Sequence, residues 1–358
     1  MKILHVIDSL SLGGAEKMLV ESLPIFKEKN IIVDIALLNS RVTVLYEEVV
    51  NMGENRIYNL NKKSVYNPIS IFKLIPILRR YDIVHVHLFP AQYYVVIAKI
   101  LSFSKCKLIF TEHSTSNRRL QNKKLRFIEK LMYFFYDKVV CITLEVKLEL
   151  QTKLKIDEYK LTIIENGINL KSIHKSIVSS RDSFGYTNED KLILMVAGFR
   201  REKDQDTLIR CISLLPDRYK LILVGDGERR EQLEFLIESL KLRDRIKLLG
   251  IRNDVYSLMK MVDVVVLSSH WEGFGLVAVE AMGVGKPVIA SQVKGLDKVV
   301  SGGGVLFKKG NEIDLMDKIL KLENEEYYQL ISKACVEKAE RYSINNTVNK
   351  LINLYGKI

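Results

Sequence analysis

Short apolar runs alternate with longer amphipathic segments along most of the chain, and only a few fold classes accommodate this alternation. The runs are rich in Val, Ile and Leu and too short for helices, which is typical of parallel strands buried on both faces. The segments between them are long enough for crossover helices. The predicted strands are residues 3–7, 32–38, 83–88, 107–111, 139–143, 192–196, 221–224, 246–249, 264–268 and 288–291.

The alternation stops and restarts once, which indicates two domains of the same class. A polar stretch over residues 170–191 separates the two sets of runs. The chain has 358 residues, of which 47% are hydrophobic, and this is enough for two full cores. We therefore predict two α/β domains with parallel sheets, over residues 1–168 and 169–340. A crevice between two such sheets is where ligands usually bind.

Composition and missing motifs exclude several classes of protein. No apolar run approaches the roughly 20 residues of a membrane-spanning helix, and the first residues are predicted to form a strand, not a signal peptide. The four cysteines lie far apart, which argues against disulfide frameworks and zinc sites and suits a reducing cytosol. The segment EAMGVGKP has Glu280 where a Walker loop needs glycine, and no three-glycine dinucleotide motif follows the first strand of either domain. Neither a P-loop enzyme nor a nicotinamide enzyme is therefore expected.

The excess of basic residues is concentrated in the N-terminal half. The net charge is +12, and through Glu165 the chain has 25 Lys and Arg against 17 Asp and Glu. Residues 117–138 interleave basic and apolar side chains and predict an amphipathic helix. Two interpretations stay open, because this helix suits both an anionic lipid surface and a core with a solvated cationic face. No RNA- or DNA-binding motif accompanies the charge, so nucleic acid is not an expected partner.

A glycine pair follows the first predicted strand and precedes a helix. Gly13 and Gly14 come before AEKMLVESLPIF, in which the apolar residues fall on one helical face. The free amides and the dipole of a helix start favour an anion, and glycine lets a ligand approach the backbone. A tight turn without a ligand explains the same glycines.

A cluster of cations occupies the corresponding loop of the second domain. Arg200, Arg201 and Lys203 follow the strand that ends at Gly198 and precede a helix that begins near Asp206. Cations at the carboxyl end of a strand suit a diphosphate. A solvated charge cluster is the alternative, but cations at a helix start oppose the dipole unless an anion binds there.

Two carboxylates flank a glycine-containing loop in the segment SSHWEGFGLVAVEAM. The helix is expected to begin near Leu276, so Glu280 lies about one turn inside it and Glu272 lies in the loop. Glu280 then suits the diol of a ribose, while Glu272 and the loop amides suit the hydroxyls of a sugar. A hydrolytic pair, a metal pair and two solvated carboxylates are the alternatives. The absence of an Asp-x-Asp motif argues against the metal pair.

His85 and His87 alternate onto one face of the predicted strand over residues 83–88. This spacing is compatible with a metal site. An interior strand of a parallel sheet buries both faces, however, and no carboxylate of matching geometry is evident. We therefore expect two buried histidines and no metal.

Taken together, the motifs resemble those of one enzyme family. The segment SSHWEGFGLVAVEAMGVGKPVIAS resembles the E-x7-E signature of the retaining GT-B glycosyltransferases of family GT4. GGAEKM, YDIVHVHL, TEHS and ENGIN resemble its first domain and interdomain segment, and LILVGDGERREQLE and LLGIRNDV resemble its donor domain. The resemblance implies two facing Rossmann-like domains with an interdomain cleft, an acceptor on the first domain and a nucleotide-diphosphate sugar on the second. It also implies that residues 341–358 form a helix that packs back on the first domain.

The resemblance assigns the donor's diphosphate to cations of the second domain. Lys203 matches a family position that stabilises the departing diphosphate. Many members carry an arginine at the position of Gly198, so Arg200 or Arg201 must supply the second cation here, and Arg200 is preferred. Glu280 is assigned to the ribose.

The transferred sugar is assigned to Glu272 and to the glycine loop that follows it. His113, at the end of a predicted strand, matches the active-site histidine that meets the donor sugar near the reacting carbon. In the family account the acceptor attacks from the face that the diphosphate leaves, and a phosphate oxygen accepts the proton. The remaining donor-binding positions implied are Gly14, Gly273, Phe274, Gly275 and Leu276.

We therefore expect a glycosyltransferase that moves a sugar from a UDP- or GDP-sugar to a glycan or lipid-linked oligosaccharide, without a metal or other cofactor. Bacterial surface polysaccharide assembly is the expected pathway. The expected location is the cytoplasm, with a peripheral contact to anionic lipid at the cytoplasmic face of the inner membrane. A sugar-nucleotide epimerase or hydrolase, and a catalytically silent sugar-nucleotide-binding protein, are the alternatives.

Overall fold

The computed structural model describes residues 1–11, 13–113, 118–120 and 122–358. Within them the chain divides into an N-terminal unit, Met1–Gly167 with Ile344–Ile358, and a C-terminal unit, Ile168–Ser343. Each predicted apolar run forms a strand whose ends lie within two residues of the predicted ones. The prediction is accurate here because most residues of these runs are buried in a parallel sheet, although the edge strand over residues 246–250 has only one buried residue.

The N-terminal unit alternates strands and helices. Its elements, before the chain enters the C-terminal unit, are β1 (Lys2–Ile7), α1 (Gly14–Glu28), β2 (Ile32–Leu37), α2 (Val44–Met52), β3 (Ile57–Asn59), α3 (Ile69–Leu78), β4 (Ile83–His87), α4 (Ala91–Ser102), β5 (Lys107–Glu112), α5 (Lys123–Phe134), β6 (Lys138–Cys141), α6 (Leu144–Leu154) and β7 (Leu161–Ile163).

The C-terminal unit repeats the alternation, and the last helix returns to the N-terminal unit. The elements are α7 (Leu170–Lys175), β8 (Lys191–Val196), α8 (Gln205–Leu214), β9 (Tyr219–Val224), α9 (Arg230–Ser239), β10 (Ile246–Gly250), α10 (Val255–Met261), β11 (Val264–Leu267), α11 (Leu276–Gly283), β12 (Val288–Ser291), α12 (Asp297–Val300), β13 (Val305–Phe307), α13 (Glu312–Lys321), α14 (Glu325–Glu340) and α15 (Ile344–Tyr355).

Both sheets are parallel, and both contain one reversal of strand order. In the described residues the N-terminal sheet has seven strands in the order β3-β2-β1-β4-β5-β6-β7, and the C-terminal sheet has six in the order β10-β9-β8-β11-β12-β13. The order reverses between β1 and β4 and between β8 and β11. At such a reversal the loops after the strands diverge and leave a crevice for a ligand. The loops after these four strands are therefore the expected positions of a ligand site.

The helix α15 completes the core of the N-terminal unit. Its side chains pack into the same apolar cluster as those of β1 and α1, which explains why the end of the chain leaves the C-terminal unit. The predicted apolar face of α1 is also buried in this cluster or beside it. The contributing residues of α15 are Ile344, Val348, Leu351, Leu354 and Tyr355.

The amphipathic helix predicted over residues 117–138 is shorter in the structure. A 3₁₀ turn at Arg118–Leu120 precedes α5, and Asn117 and Gln121 lie outside the described residues. Arg126 Nε donates to Leu120 O at 3.0 Å, and Arg119 pairs with the buried carboxylate of Glu129. These side-chain bonds hold the turn against α5, and the turn remains separate from the helix. No helix in the described part of the chain has the length and apolar character that crossing a bilayer requires.

Candidate active site

A lysine and a glutamate meet at the strand reversal of the C-terminal sheet. Lys203 follows β8, Glu272 follows β11, and Lys203 Nζ donates to Glu272 Oε1 at 2.5 Å. Ser269 Oγ donates to the same oxygen at 3.1 Å. Both charged side chains are largely shielded from solvent. The two sequence motifs therefore converge on one ion pair where the fold favours ligand binding.

Hydrogen bonds between the loops after β8 and β11 fix the geometry of this ion pair. The amide of His270 donates to Glu202 O at 2.7 Å, and Ser268 Oγ donates to Asp204 O at 2.7 Å. Ser291 Oγ, at the end of β12, donates to Ser269 O. Because backbone groups on both loops are bonded directly, Lys203 and Glu272 sit on a rigid support.

The glycine loop ends where α11 begins, at Leu276 as predicted. Gly275 is the residue before the helix. Its φ is 81°, a left-handed conformation that favours glycine. The ring of Phe274 is buried and packs edge-on against the ring of Tyr342, with 5.4 Å between the ring centroids. Phe274 therefore anchors the loop through its side chain. The first backbone N–H groups of α11 have no acceptor within the helix, as at the start of any α-helix.

Glu280 lies one turn inside α11 and is only 5% exposed. Tyr256, on α10, donates its hydroxyl hydrogen to Glu280 Oε1 at 3.1 Å. The alternative in which Glu280 is solvated on the helix surface is therefore wrong. Burial of a carboxylate is costly unless hydrogen bonds satisfy its oxygens, so this side chain is held in a defined position.

The arginines before Lys203 differ from it in exposure. Arg200 is 67% exposed, and its side chain passes beside Gly198, where an added Cβ would lie 3.6 Å from Arg200 Nε. Arg200 also lies 4.0 Å from Glu202. Arg201 is exposed at the start of the 3₁₀ turn Arg201–Lys203. The guanidinium beside Gly198 is thus that of Arg200.

Gly295 supports the glutamate loop from behind. Its φ is +90°, and an added Cβ would lie 2.2 Å from the carbonyl oxygen of Glu272. We expect Gly295→Ala to destabilise the C-terminal unit by about 2–5 kcal/mol, from the left-handed backbone and the steric clash together, and to displace Glu272. Urea denaturation measures the stability, and turnover measures the displacement.

Gly302→Ala is the matched control for this prediction. Gly302 has φ of +78° but nothing within 4 Å of the added Cβ, so only the backbone cost of about 1–2 kcal/mol applies. Equal losses in the two variants would show that the contact with Glu272 is unimportant.

In the N-terminal unit, Gly14 is the first residue of α1, and a carboxylate already lies at this helix start. A Cβ added at Gly13 would lie 2.3 Å from a carboxylate oxygen of Glu16. Burial raises the pKa of Glu16, and a hydrogen bond from its own backbone amide opposes that shift. An anionic ligand at Gly14 therefore has to share this end of the helix with Glu16 or displace it.

His113 lies directly after β5 and is a neutral imidazole. Burial lowers the pKa of His113 to about 4. Its Nε2 lies 3.2 Å from Nδ1 of His87, at the end of β4. A neutral imidazole can donate one hydrogen bond and accept another, which suits contact with a sugar hydroxyl.

Asp8 was overlooked among the candidate residues. It follows β1 at the strand reversal, its Oδ1 accepts the Ala91 amide of α4 at 3.1 Å, and burial raises its pKa to about 7. The hydrogen bond from Ala91 opposes this shift. The sequence did contain a signal, since Asp8 directly follows the first predicted strand and ligand sites of parallel sheets lie at the carboxyl ends of strands.

The histidines of β4 share their face with a third histidine that the sequence analysis missed. His85 and His87 are buried, as predicted, and the strand register places His5 of β1 directly beside His85. One nitrogen from each of the three rings lies within 4.8 Å of the others, a spacing that would allow a metal ion. Both nitrogens of each ring already face hydrogen-bonding partners, so an ion would have to replace several of these bonds.

Comparison with known proteins identifies the family. The family model described as "Glycosyl transferases group 1" matches residues 178–346, and the model described as "Glycosyltransferase Family 4" matches residues 12–172. The uncharacterized glycosyltransferase MJ1178 of Methanocaldococcus jannaschii is 32% identical over 70% of this chain and 68% of its own length. The UDP-Gal:alpha-D-GlcNAc-diphosphoundecaprenol alpha-1,3-galactosyltransferase of Escherichia coli is 27% identical over 82% of this chain and 79% of its own.

The fold is shared with solved glycosyltransferase structures. The crystal structure of Anabaena HepE in complex with UDP-glucose superposes with a TM-score of 0.87 over 100% of both chains, at 21% identity. At that level of identity the agreement establishes the architecture. The chain therefore belongs to the GT4-type glycosyltransferases, and its two Rossmann-like units are those of the GT-B fold.

Proposed function

We propose that the enzyme transfers a sugar, with retention of configuration, from a UDP- or GDP-sugar to a glycan or lipid-linked acceptor in bacterial surface polysaccharide synthesis. The observation that carries this proposal is the Lys203–Glu272 ion pair at the strand reversal. The binding of UDP-glucose by HepE supports a nucleotide-sugar donor. The diphosphoundecaprenol substrate named for the E. coli relative supports a lipid-linked acceptor.

The C-terminal unit supplies the groups for the donor. When the diphosphate binds, Lys203 exchanges part of its contact with Glu272 for the phosphate oxygens, on which negative charge develops as the glycosidic bond breaks. Arg200, the cation beside Gly198, adds a second positive charge. Glu272 and the backbone amides from Gly273 to Leu276 then bind the sugar's hydroxyls, and Glu280 binds the ribose diol.

The reaction needs no protein nucleophile in this scheme. The acceptor oxygen attacks the anomeric carbon from the face that the diphosphate leaves, and the departing phosphate oxygen takes the acceptor's proton. By correspondence with the family, Gly14 contacts the diphosphate and His113 contacts the transferred sugar. The neutral state of His113 fits contact with an uncharged hydroxyl.

The donor-binding roles predict different kinetic effects for three residues. Glu280→Gln should raise the dissociation constant of the nucleotide at least about tenfold, because a charged acceptor of hydrogen bonds is lost. Glu272→Gln and His113→Ala should instead lower kcat while nucleotide affinity stays within about threefold. Thermal shifts with a panel of nucleoside diphosphates measure the affinity and also identify the base, because a bound ligand raises the apparent stability.

The same measurements separate the alternative functions. Isomerised or released sugar with donor alone indicates an epimerase or hydrolase. Nucleotide binding without transfer to any acceptor in a broad panel indicates a silent binding protein. Equal loss of fold stability in all three variants would show that these residues are structural.

We also propose that α5 rests on the cytoplasmic surface of an anionic membrane, which would bring the enzyme to a lipid-linked acceptor. Phe127 and Phe134 on this helix are 74% and 70% exposed, whereas Glu129 and Tyr133 are buried. The apolar side chains therefore face outward, with Lys130 exposed on the same helix. Apolar insertion and attraction of Lys and Arg to anionic headgroups both favour such a contact.

Vesicle flotation tests this contact. The double variant Phe127→Ser, Phe134→Ser should lose at least about tenfold in binding to vesicles that contain anionic lipid, since two large apolar groups no longer insert. Phe235→Ser is the control, because Phe235 is 74% exposed on α9 of the C-terminal unit. Unchanged flotation of the double variant would exclude α5 as the contact.

A further inference from the structure

A chain of buried polar side chains ends at His113. His87 Nδ1 lies 3.2 Å from His113 Nε2, and His87 Nε2 lies 2.9 Å from His5 Nδ1. His5 Nε2 lies 3.5 Å from the hydroxyl of Tyr355. This hydroxyl lies 2.6 Å from His85 Nδ1, so the chain continues away from His113.

Thr111 terminates the chain at its far end. Thr111 Oγ1 lies 2.6 Å from His85 Nε2. The members come from β1, β4, β5, the residue directly after β5, and α15, all within the N-terminal unit. Apart from His113, which is half-buried, the members are buried. The sequence shows only the His85–His87 spacing, because the other links depend on strand register and on α15.

Each histidine in this series of hydrogen-bonded side chains is neutral, and a neutral ring restricts where the protons can lie. Burial lowers the pKa of His5 to about 3 and that of His113 to about 4, and it lowers the pKa values of His85 and His87 well below the usual range. A neutral imidazole has one N–H and one acceptor nitrogen. A ring that bonds on both sides therefore donates in one direction and accepts from the other, so the hydrogen bonds share one direction.

The hydroxyl of Tyr355 decides which direction is favoured. Burial raises the pKa of Tyr355, but Thr111 is buried as well, and in the same surroundings a phenol is a stronger acid than an aliphatic alcohol. At His85 the short bond from Tyr355 is therefore a donation to Nδ1, and His85 Nε2–H donates to Thr111. Tyr355 oxygen then accepts from His5 Nε2–H, and His5 Nδ1 accepts from His87 Nε2–H. The remaining lone pair of His87, on Nδ1, requires a donor, which is Nε2–H of His113.

We propose that His87, His5 and Tyr355 act as positioning residues that hold His113 in the Nε2–H tautomer, with Nδ1 unprotonated and able to accept a hydrogen bond from a sugar hydroxyl. The contribution to transfer rests on the proposed function, whereas the tautomer is a property of the N-terminal unit. The arrangement also makes α15 part of the support for His113, through Tyr355.

Nitrogen-15 NMR of the full chain with labelled histidine tests the tautomer directly. We expect His113 in the wild-type protein to be a single Nε2–H tautomer between pH 6 and 8, assigned by the signals lost in His113→Ala. His87→Asn places an amide where Nδ1 of His87 lies and keeps a partner for His113. His87→Gln places the amide where Nε2 lies, keeps the bond to His5 and removes the partner of His113.

The two variants should therefore differ in the tautomer of His113 and in kcat. In His87→Gln we expect both tautomers of His113 and a kcat about five- to tenfold lower with nearly unchanged donor KM, since one orienting hydrogen bond is lost. In His87→Asn we expect kcat within about threefold of the wild type. Tyr355→Phe keeps the buried ring and removes only the hydroxyl, so it reports on the distant link without a cavity. His174→Asn, an exposed position on α7, is the control for the labelled spectra.

Three results would overturn the proposal: an Nδ1–H tautomer of His113 in the wild type, a mixture of tautomers in the wild type, or a His113 spectrum that stays that of the wild type in both His87→Gln and Tyr355→Phe. Thermal unfolding of each variant identifies any that fail to fold, and Tyr355→Phe then replaces His87→Gln as the deciding variant. If His113→Ala keeps full turnover while the tautomer still follows His87, the positioning chain stands and the role of His113 in the proposed function is wrong.

Discussion

Replacing Lys203 with alanine should lower kcat about 10²–10³-fold, because it removes a fixed cation from the site where the diphosphate leaves. The Glu272 carboxylate holds the Lys203 ammonium at the strand reversal, so a partial exchange of this one contact brings the charge to the phosphate oxygens. The loss should appear mainly in kcat, since charge on the phosphate oxygens is greater in the transition state than in the donor. Steady-state kinetics with nucleotide-sugar donors that carry the base identified by thermal shift provide the measurement.

A double-mutant cycle shows whether the ion pair acts as one element. In Lys203→Ala the Glu272 carboxylate loses a charged partner. The rise in activation free energy, calculated from kcat, should therefore be smaller in the double variant Lys203→Ala, Glu272→Gln than the sum of the rises in the two single variants. Lys309→Ala, at an exposed lysine of the C-terminal unit, is the control and should change kcat little. A kcat within threefold of the wild type in Lys203→Ala would refute the proposed role of this lysine.

A chain that ends at Ser343 should lose the fold of its N-terminal unit and keep that of its C-terminal unit. The deletion removes α15, with five side chains that are buried in the N-terminal core. At about 1.5–3 kcal/mol for each buried side chain, the loss equals the usual stability of a whole domain. Hydrogen exchange read by mass spectrometry reports the two units separately within one sample.

The control is a chain that ends at Gly356, which keeps all of α15. Its exchange pattern should match that of the full chain. Protection of β1 and β4 that survives the deletion to Ser343 would show that α15 is dispensable for this core. Loss of protection in both units would show that they are not independent in stability.

The strands could be predicted because most residues of each run are apolar and, outside the edge strand β10, most are buried. The missed strands β3, β7 and β13 have three residues each, which is too short for any periodicity to appear. The helix start at Leu276 was predictable because Gly273 and Gly275 exclude an earlier one. Local signals of this kind depend only on neighbouring residues.

The contacts within the site depend on strand order and register, which local patterns do not contain. Lys203 and Glu272 were assigned to different parts of the donor, and their ion pair appears only because β8 and β11 are neighbours. His5 was missed because its place beside His85 follows from the register of β1 and β4. The same limitation applies to Tyr355, which is separated from His85 by most of the chain.

The return of α15 also has a consequence for biosynthesis. A ribosome completes every residue of the C-terminal unit before it makes the helix that closes the N-terminal core, so the unit translated first is finished last. Nascent domains usually fold as they emerge, in order of synthesis. Here the earlier unit has to wait with part of its apolar surface uncovered, and during translation a chaperone that binds such surfaces has an interval in which to act.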